Sequence, residues 1–365
     1  MDKGLLTGVT YLDLSKAFDT VSHSYLLSKL PSYGINRTEL SWFENYLFDR
    51  KQHVFYDGHL SEGFPVFRGV PQGSILGPTL FLLHLDDIDS CLHNCNIIKY
   101  ADDTVLYVNG KDSETIQEKL NTDIPAIYNW LTNNDLSLNL KKGKTETMIF
   151  GTSARVKKAT PLNVLINGTI LNQTTSYKYL GVHLDPTLTL NDDFDSKYKK
   201  LSSRLRLLSK VRPNLTIDAA KLIYLSIIVP VFTYCGTVNL NLSRTSLTKL
   251  EKIHERAFKI IKGNSDQQIN VTPLMTLIKR HACQIVRKSI TTKLPSPMDN
   301  YFELMTHSKT TRNNKNSIVI PKVKTKTAQN GFFYQGATIY NSLTREIRSE
   351  VNQNIFLNKL KNFNF

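Results

Sequence analysis

Tyr100-Ala101-Asp102-Asp103 sets two adjacent carboxylates between apolar runs, Ile97-Ile98 before them and Thr104-Val105-Leu106-Tyr107-Val108 after. Two short β-favouring runs predict paired strands with the acids at the hairpin tip. Strand side chains alternate between faces, but at a tight turn two neighbours reach one site. Carboxylates that close repel each other, and a cation between them relieves the repulsion. Hard divalent ions such as Mg²⁺ take carboxylate oxygens, keep several waters and share their remaining positions with substrate phosphates. An ordinary Asp-Asp turn is the plainer reading of the same residues.

A further acid lies far upstream. The apolar, β-branched run Leu5-Leu6-Thr7-Gly8-Val9-Thr10-Tyr11-Leu12 ends on Asp13, and Leu14-Ser15-Lys16-Ala17-Phe18-Asp19-Thr20-Val21 reads as a turn into a helix. An acid at a strand's end and an acidic hairpin can together build a two-metal site for in-line phosphoryl displacement, with the ions ~3.5–4 Å apart. Asp13 reads equally well as a helix N-cap. Between the acids lies Phe67-Arg68-Gly69-Val70-Pro71-Gln72-Gly73-Ser74-Ile75-Leu76-Gly77-Pro78, before the helix-like run Thr79-Leu80-Phe81-Leu82-Leu83-His84-Leu85. Its glycines permit close backbone approach and its prolines fix turns. Such a loop can pass amides and Gln72 across a nucleotide, or can merely connect.

The elements that must position these groups follow from periodicity. Residues 5–13 predict a strand, 22–30 and 38–49 helices, 51–66 a hairpin or extended stretch, 74–90 a helix, and 97–108 the acid-tipped hairpin. Ile116, Leu120, Ile124, Ile127 and Leu131 recur at helical spacing across 113–134, and Pro125 predicts a kink or restart there. Residues 145–151 and 176–184 predict strands, and Asn167-Gly168 a hairpin turn. The layout is α+β: an antiparallel sheet with helices on one face.

From about residue 192 the pattern turns helical. Tyr198, Leu201, Leu205, Leu208 and Val211 form one stripe, and Leu247, Leu250, Ile253, Ala257 and Ile260 another across 246–262. Residues 217–234, ending near Pro230, predict a more buried helix. Residues 264–330 are basic without clear periodicity, and 306–327 predict a flexible linker.

The 365 residues imply two or three subdomains, and 41% hydrophobic content a folded chain. Four cysteines (Cys91, Cys95, Cys235, Cys283) form no disulfide framework and suit a reducing compartment. Cys91, His93 and Cys95 have zinc-like spacing, but no second pair follows, so zinc is set aside. With no signal peptide and no apolar run near ~20 residues, the expectation is an intracellular protein, in nucleus or cytoplasm, without a membrane span. The net charge of +15 is unevenly spread. Residues 1–195 hold 17 Lys/Arg and 23 Asp/Glu, residues 196–262 hold 14 and three, and residues 263–330 hold 11 and three. The acidic half suits metals and the basic half a polyanion, although a charge run is also simply a solvated face.

Together the motifs resemble the reverse transcriptase of LINE-type, non-LTR retrotransposons, of the jockey and chicken-repeat groups. YLDLSKAFDTVSHSYLLSKL is similar to that family's motif A, RGVPQGSILGPTLFLLHLDDI to motif B and YADD to motif C. LSLNLKKGKTETMIF resembles motif D, YKYLGVHLD motif E, and YNSLTREIRSEVNQNIFLNKLKNF the closing segment of these polyproteins. The resemblance implies an RNA-directed DNA polymerase with a palm over 1–190, a helical thumb over 191–265, a basic, partly flexible connector over 266–330 and a C-terminal helical segment over 331–365. It implies two Mg²⁺ ions, with Mn²⁺ as a substitute, on Asp13, Asp102 and Asp103. It gives Phe18 the exclusion of a 2′-hydroxyl, Gln72 a place near the incoming nucleotide and the template, and Gly73 contact with the nucleotide. Lys144, beside Lys141 and Lys142, would be the acid for pyrophosphate, and Tyr179, Leu180 and Gly181 the primer grip. Asp19 matches the family but is not counted as a ligand. The implied partners are an RNA template, a DNA primer and deoxynucleoside triphosphates, with no membrane.

Family members carry fingers motifs and usually an endonuclease before motif A, and here only twelve residues precede Asp13. No RNase H pattern is visible. The expectation is an N-terminally truncated fragment that binds nucleic acid and extends primers weakly or not at all. The rival reading is a catalytically dead nucleic-acid-binding transposon relic.

Overall fold

In the computed structural model, which describes residues 1–240, 242–265, 269–292, 301–305 and 316–365, Leu6–Leu12 forms strand β1, buried along nearly its whole length. Its β-branched and apolar residues suit a central strand covered on both faces. The other strands of its sheet are β2 (Asn96–Tyr100), β3 (Asp103–Gly110), β4 (Glu146–Phe150) and β5 (Asn172–Gln173), in the order β5-β4-β1-β3-β2. β1 pairs antiparallel with β3 and β4, β2 antiparallel with β3, and β5 parallel with β4. Two compact units divide the chain, Lys3–Leu180 and Gly181–Phe365, and the protein is of mixed α+β class.

In the first unit the helices are α1 (His23–Lys29), α2 (Arg37–Leu47), α3 (Gly77–Leu85) and α4 (Ser113–Asn133). One face of the sheet packs on them: Leu6, Leu12, Leu106, Val108 and Ile149 share a core with Phe81, Ile116, Leu120 and Ile124. Gly8 and Gly110 form a notch in that face, and the fully buried Ile116 fills it. A Cβ on Gly110 would stand 2.7 Å from Ile116 Cγ1, and one on Gly8 would collide with Ile116 Cγ2.

Several expectations change in detail. The helix expected over 74–90 starts only at Gly77, because Ser74 Oγ accepts the Gly77 N–H (2.9 Å) and donates to the Pro71 carbonyl (2.8 Å). Helix α4 runs unbroken through Pro125, which lies on its exposed side, away from the buried stripe of Ile116, Leu120, Ile124, Ile127 and Leu131. The strand expected over 176–184 is two short strands, Tyr177–Tyr179 and Val182–Leu184, split by left-handed φ angles at Leu180 (+44°) and Gly181 (+81°). Asn167 and Gly168, both at positive φ, turn the hairpin Leu165–Ile166 to Thr169–Ile170 as expected.

The second unit is mainly helical. Its main elements are α5 (Asn191–Val211), α6 (Ile217–Ile223), α7 (Arg244–Lys262), α8 (Leu274–Thr291), α9 (Phe332–Asn341) and α10 (Gln353–Asn362). Leu201, Leu205, Leu208, Leu250, Ile253 and Ala257 enter its core as their spacing predicts, whereas Val211 stays half-exposed. The 217–234 stretch is less buried than expected. α6 passes through a wide π turn, Tyr224–Ile228, just before Pro230, and Leu222, Leu225 and Ile227 face outward. A π turn is a natural neighbour of a residue with no N–H to give. A buried ion pair, Asp193–Lys197 at 2.8 Å, also bonds the His183 amide and the Tyr234 carbonyl. α8 lies in a segment read as lacking periodicity. Leu274, Ile278, Ala282 and Val286 make its buried stripe, which interspersed basic residues conceal. Of the expected flexible linker, 306–315 lie outside the described residues, while Ile318 is fully buried and donates its N–H to Asn341 Oδ1 (2.8 Å). Among the described residues no helix is long and apolar enough to cross a membrane.

His84, on α3, is fully buried and hydrogen-bonds through Nε2 to the Asn134 carbonyl (3.3 Å). Burial, reinforced by the nearby Lys29 charge, lowers its pKa to about 4. The unfolded chain takes this proton near pH ~6.5, so below that pH the unfolded state binds more protons than the folded one. Stability is expected to fall by roughly 3 kcal/mol between about pH 6.5 and pH 4 on this account alone. In urea denaturation, His84→Gln should flatten that part of the profile; an unchanged slope would assign the acid sensitivity to other groups.

Candidate functional site

The sheet register sets the site. Leu12 pairs with Thr104, so one further step brings Asp13 opposite Asp103. Tyr100 pairs with Asp103, which leaves Ala101 and Asp102 as a two-residue tip. Ala101 has φ +52°, a left-handed conformation that a residue with a Cβ adopts only under constraint from its surroundings. Asp102 and Asp103 are exposed and Asp13 is half-buried. The Asp103 carboxyl is held above the usual range, first by partial burial, then by the charges of Asp102 and Asp13. The three carboxylates therefore feel one another, and Lys144 Nζ stands 3.5 Å from Asp13 Oδ1 as a counter-charge.

The segment before β4 pins the end of β1. Asp13 donates its N–H to Thr145 Oγ1 (3.3 Å) and accepts from the Asn139 N–H (2.8 Å), while Ser15 N–H reaches the Ser137 carbonyl (2.8 Å). Tyr11 and Tyr177 stack at 3.7 Å between centroids and 8° between planes, and Tyr179 lies tilted against Tyr11 at 5.9 Å. Tyr177 donates its hydroxyl to the Lys144 carbonyl (3.3 Å). Burial first, then the charges of Asp13, Asp103 and Glu146, push the Tyr177 phenol up to about 12. Burial and Asp103 raise Tyr179 in the same direction. Leu180 and Gly181 form the left-handed turn that follows.

A second cluster packs beside this one. Phe18 is half-buried and stacks on Phe81 at 4.5 Å. Its carbonyl accepts from the Val70 N–H (2.8 Å), and the Val21 carbonyl accepts from Gly69 (2.7 Å). Gly69 has φ +88°, and a Cβ there would lie 2.8 Å from the Asp19 carbonyl oxygen. Only glycine admits this approach. It lets Gln72 donate from Nε2 to Asp19 Oδ1 (2.8 Å). Gly73 follows at φ +83°, exposed.

The structure thus gathers Asp13, Asp102, Asp103, Lys144 and Tyr179 at one end of the sheet, Phe18 on the helical turn Ala17–Thr20, and Gln72 and Gly73 on the loop bonded to that turn. Sequence reasoning passed over Tyr11, Tyr177, Thr145 and the Asp19–Gln72 bond. Tyr11 was findable, since it sits two strand positions before Asp13 and two apart means one face. Cys91 and Cys95 instead donate to the carbonyls of Ile88 (2.9 Å) and Lys119 (3.9 Å). Among the described residues no three His, Cys, Asp or Glu side chains stand close enough to enclose a metal ion. The donor chemistry nevertheless fits a hard divalent cation: carboxylates at one end of the sheet, with that of Asp103 raised by burial and by the charges of Asp102 and Asp13, are what such an ion neutralises.

A profile of the reverse transcriptase (RNA-dependent DNA polymerase) family matches residues 2–184. The chain is 28% identical over 263 residues to the RNA-directed DNA polymerase from mobile element jockey of Drosophila melanogaster, covering 69% of this chain and 28% of that protein. It is 29% identical over 273 residues to the jockey polymerase of Drosophila funebris, covering 72% of this chain and 29% of that protein. The chain thus spans less than a third of the length of these relatives. Among solved structures, telomerase from Candida albicans aligns with a TM-score of 0.35 and 14% identity, over 81% of this chain and 50% of that one. A likeness that loose carries no argument.

Gly69→Ala should strain the backbone and drive a methyl against Asp19. The expected cost is ~1–3 kcal/mol, read as a lower urea midpoint. An unchanged midpoint would mean that the Phe18–Val21 segment is not held by this close approach.

Proposed function

The chain belongs to the reverse transcriptase (RNA-dependent DNA polymerase) family, and from that premise we propose that it is the polymerase portion of a non-LTR retrotransposon protein, copying RNA into DNA. On this reading residues 1–190 are the palm, 191–265 the thumb, 266–330 a connector and 331–365 a C-terminal segment. The observation that carries it is the register that sets Asp13 across from Asp103 with Asp102 at the adjoining tip. Asp13, Asp102 and Asp103 would hold Mg²⁺, which when bound supplies charge stabilisation and alignment for an in-line displacement.

The remaining roles belong to the chain's own side chains. A primer 3′-hydroxyl gives up its proton to solvent as its oxygen bonds to the α-phosphorus of a deoxynucleotide, the bond to the bridging oxygen breaks, and pyrophosphate departs. Lys144 carries an ammonium 3.5 Å from Asp13 and gives a proton to that leaving group. Phe18, held by Phe81 and the Val70 amide, closes the space a 2′-hydroxyl would need. Gln72, anchored on Asp19, steadies the nucleotide, and the Gly73 backbone approaches it without a side chain. Tyr179, Leu180 and Gly181 turn sharply beside Asp103 and would carry the primer end. The helices after residue 195 hold the template–primer duplex by its phosphates, as the excess of 14 basic over three acidic residues in 196–262 favours.

In a chain that extends a DNA primer on an RNA template, Asp102→Asn should lower extension at least ~10²-fold and leave RNA affinity within about threefold. Full extension by that variant would sink the assignment. Phe18→Ala should raise ribonucleotide relative to deoxynucleotide incorporation by roughly 10–100-fold. An unchanged ratio would confine Phe18 to core packing.

A further inference from the structure

Between α2 and the Gly69–Gln72 loop the chain makes a bent ribbon. Lys51–Gln52 pairs with Phe64–Pro65, and Phe55–Tyr56 with His59–Leu60, around an Asp57-Gly58 turn at positive φ. Ser61 N–H bonds the Val54 carbonyl and Val66 N–H that of Arg50, so the backbone is closely paired. Every residue from Lys51 to Pro65 is nonetheless exposed. Phe55, Phe64 and Tyr56 are 70%, 68% and 81% exposed, and Phe67 79%. Large aromatic side chains left in water on an ordered ribbon mark a surface with a partner.

Charge says which partner. The base of the ribbon and the Gly69–Gln72 loop enclose a cleft of about 760 Å³. Arg50, Lys51 and Arg68 line it, with His53, against a single lining acid, Asp19, whose carboxylate already accepts from Gln72; Arg68 also pairs with Asp135, outside the lining, at 3.4 Å. The ribbon's own acids, Asp57 and Glu62, do not line it. A cationic groove that continues into exposed aromatic rings is the combination that holds single-stranded nucleic acid, through phosphates in the groove and bases on the rings.

We propose that this cleft and ribbon hold the unpaired template RNA ahead of the site, with Lys51 and Arg68 on its phosphates and Phe55 and Phe64 beneath its bases. The inference rests on the reading of the site as RNA-copying, since that gives Gln72, at the cleft's end, its place beside the templating base. A protein partner, such as a second copy of this chain, would find the rings but has no use for the cations.

The experiment is fluorescence anisotropy of the full chain with labelled oligouridylate, without metal or nucleotide, so that loss of catalysis at Asp102 cannot disturb it. A blunt RNA–DNA duplex serves as the second probe. Lys51→Glu should weaken oligouridylate binding and lower the log–log salt slope by roughly 0.7. Phe64→Ala should weaken it by about 5–100-fold, the equivalent of one lost base stack. Both should leave blunt-duplex affinity unchanged, and both lie at exposed positions where folding is not at stake. Unchanged oligouridylate affinity in both variants would overturn the proposal. So would a concentration-dependent dimer, seen by sedimentation, that Phe64→Ala abolishes without altering RNA affinity.

Discussion

Like charges brought together by a hydrogen-bonded ladder are the constraint on which this protein depends. Asp13, Asp102 and Asp103 gain nothing from proximity in the bare chain; partial burial first, and then the charges of Asp102 and Asp13, raise the Asp103 carboxyl. What holds them there is the pairing of β1 with β3 over Leu6–Leu12 and Thr104–Gly110, backed by the Leu6, Leu106 and Val108 core. Burial stabilises the sheet, and the sheet imposes on its acids a geometry they would leave if free. Lys144 offsets part of the cost by standing beside Asp13. The neighbouring phenols Tyr177 and Tyr179 stay protonated there and add no further negative charge.

The acid hairpin was legible because everything it needs is local: two β-favouring runs, a two-residue gap and a pairing of Tyr100 with Asp103. β1 was legible for the same reason. The Asp19–Gln72 bond and the Gly69 approach were not, because they join segments far apart in sequence through contacts with no periodicity. α8 was hidden by composition: its buried stripe runs between Lys279, Arg280 and Lys288, and a mean over the segment reports charge rather than spacing. Pro125 misled in the opposite direction. Proline lowers helix propensity without forbidding the helix, and the buried stripe on the opposite face holds α4 continuous through an exposed Pro125. The candidate site's residues were named from motif order; the aromatic wall of Tyr11 and Tyr177 joins segments far apart in sequence by a ring stack that no periodicity announces.

The two kinds of surface in the first unit divide the labour. The sheet end is rigid, with its acids fixed by backbone pairing and by the Thr145 and Asn139 bonds to Asp13. The ribbon beyond α2 has good backbone bonds but no core of its own. Isolated two-stranded ribbons are marginal in water, and every residue of this one from Lys51 to Pro65 is exposed. The proposed metal-binding acids thus lie on the bonded sheet end, and the exposed rings on the ribbon.

The glycine notch has a bearing on how the sheet assembles. A slip of β1 by two residues would keep its apolar face inward and cost little in hydrophobic burial, so patterning alone does not forbid it. It would also carry Asp13 about 7 Å along the ladder, away from Asp103. Such a slip would set Leu6 or Thr10 where Gly8 now receives Ile116, and either side chain would strike the helix. Ile116 therefore works as an indexing pin, and Gly8 as the only slot on β1 that accepts it. Misaligned sheets are rejected by steric mismatch at the helix, so the acids meet only in molecules that have closed on the correct alignment.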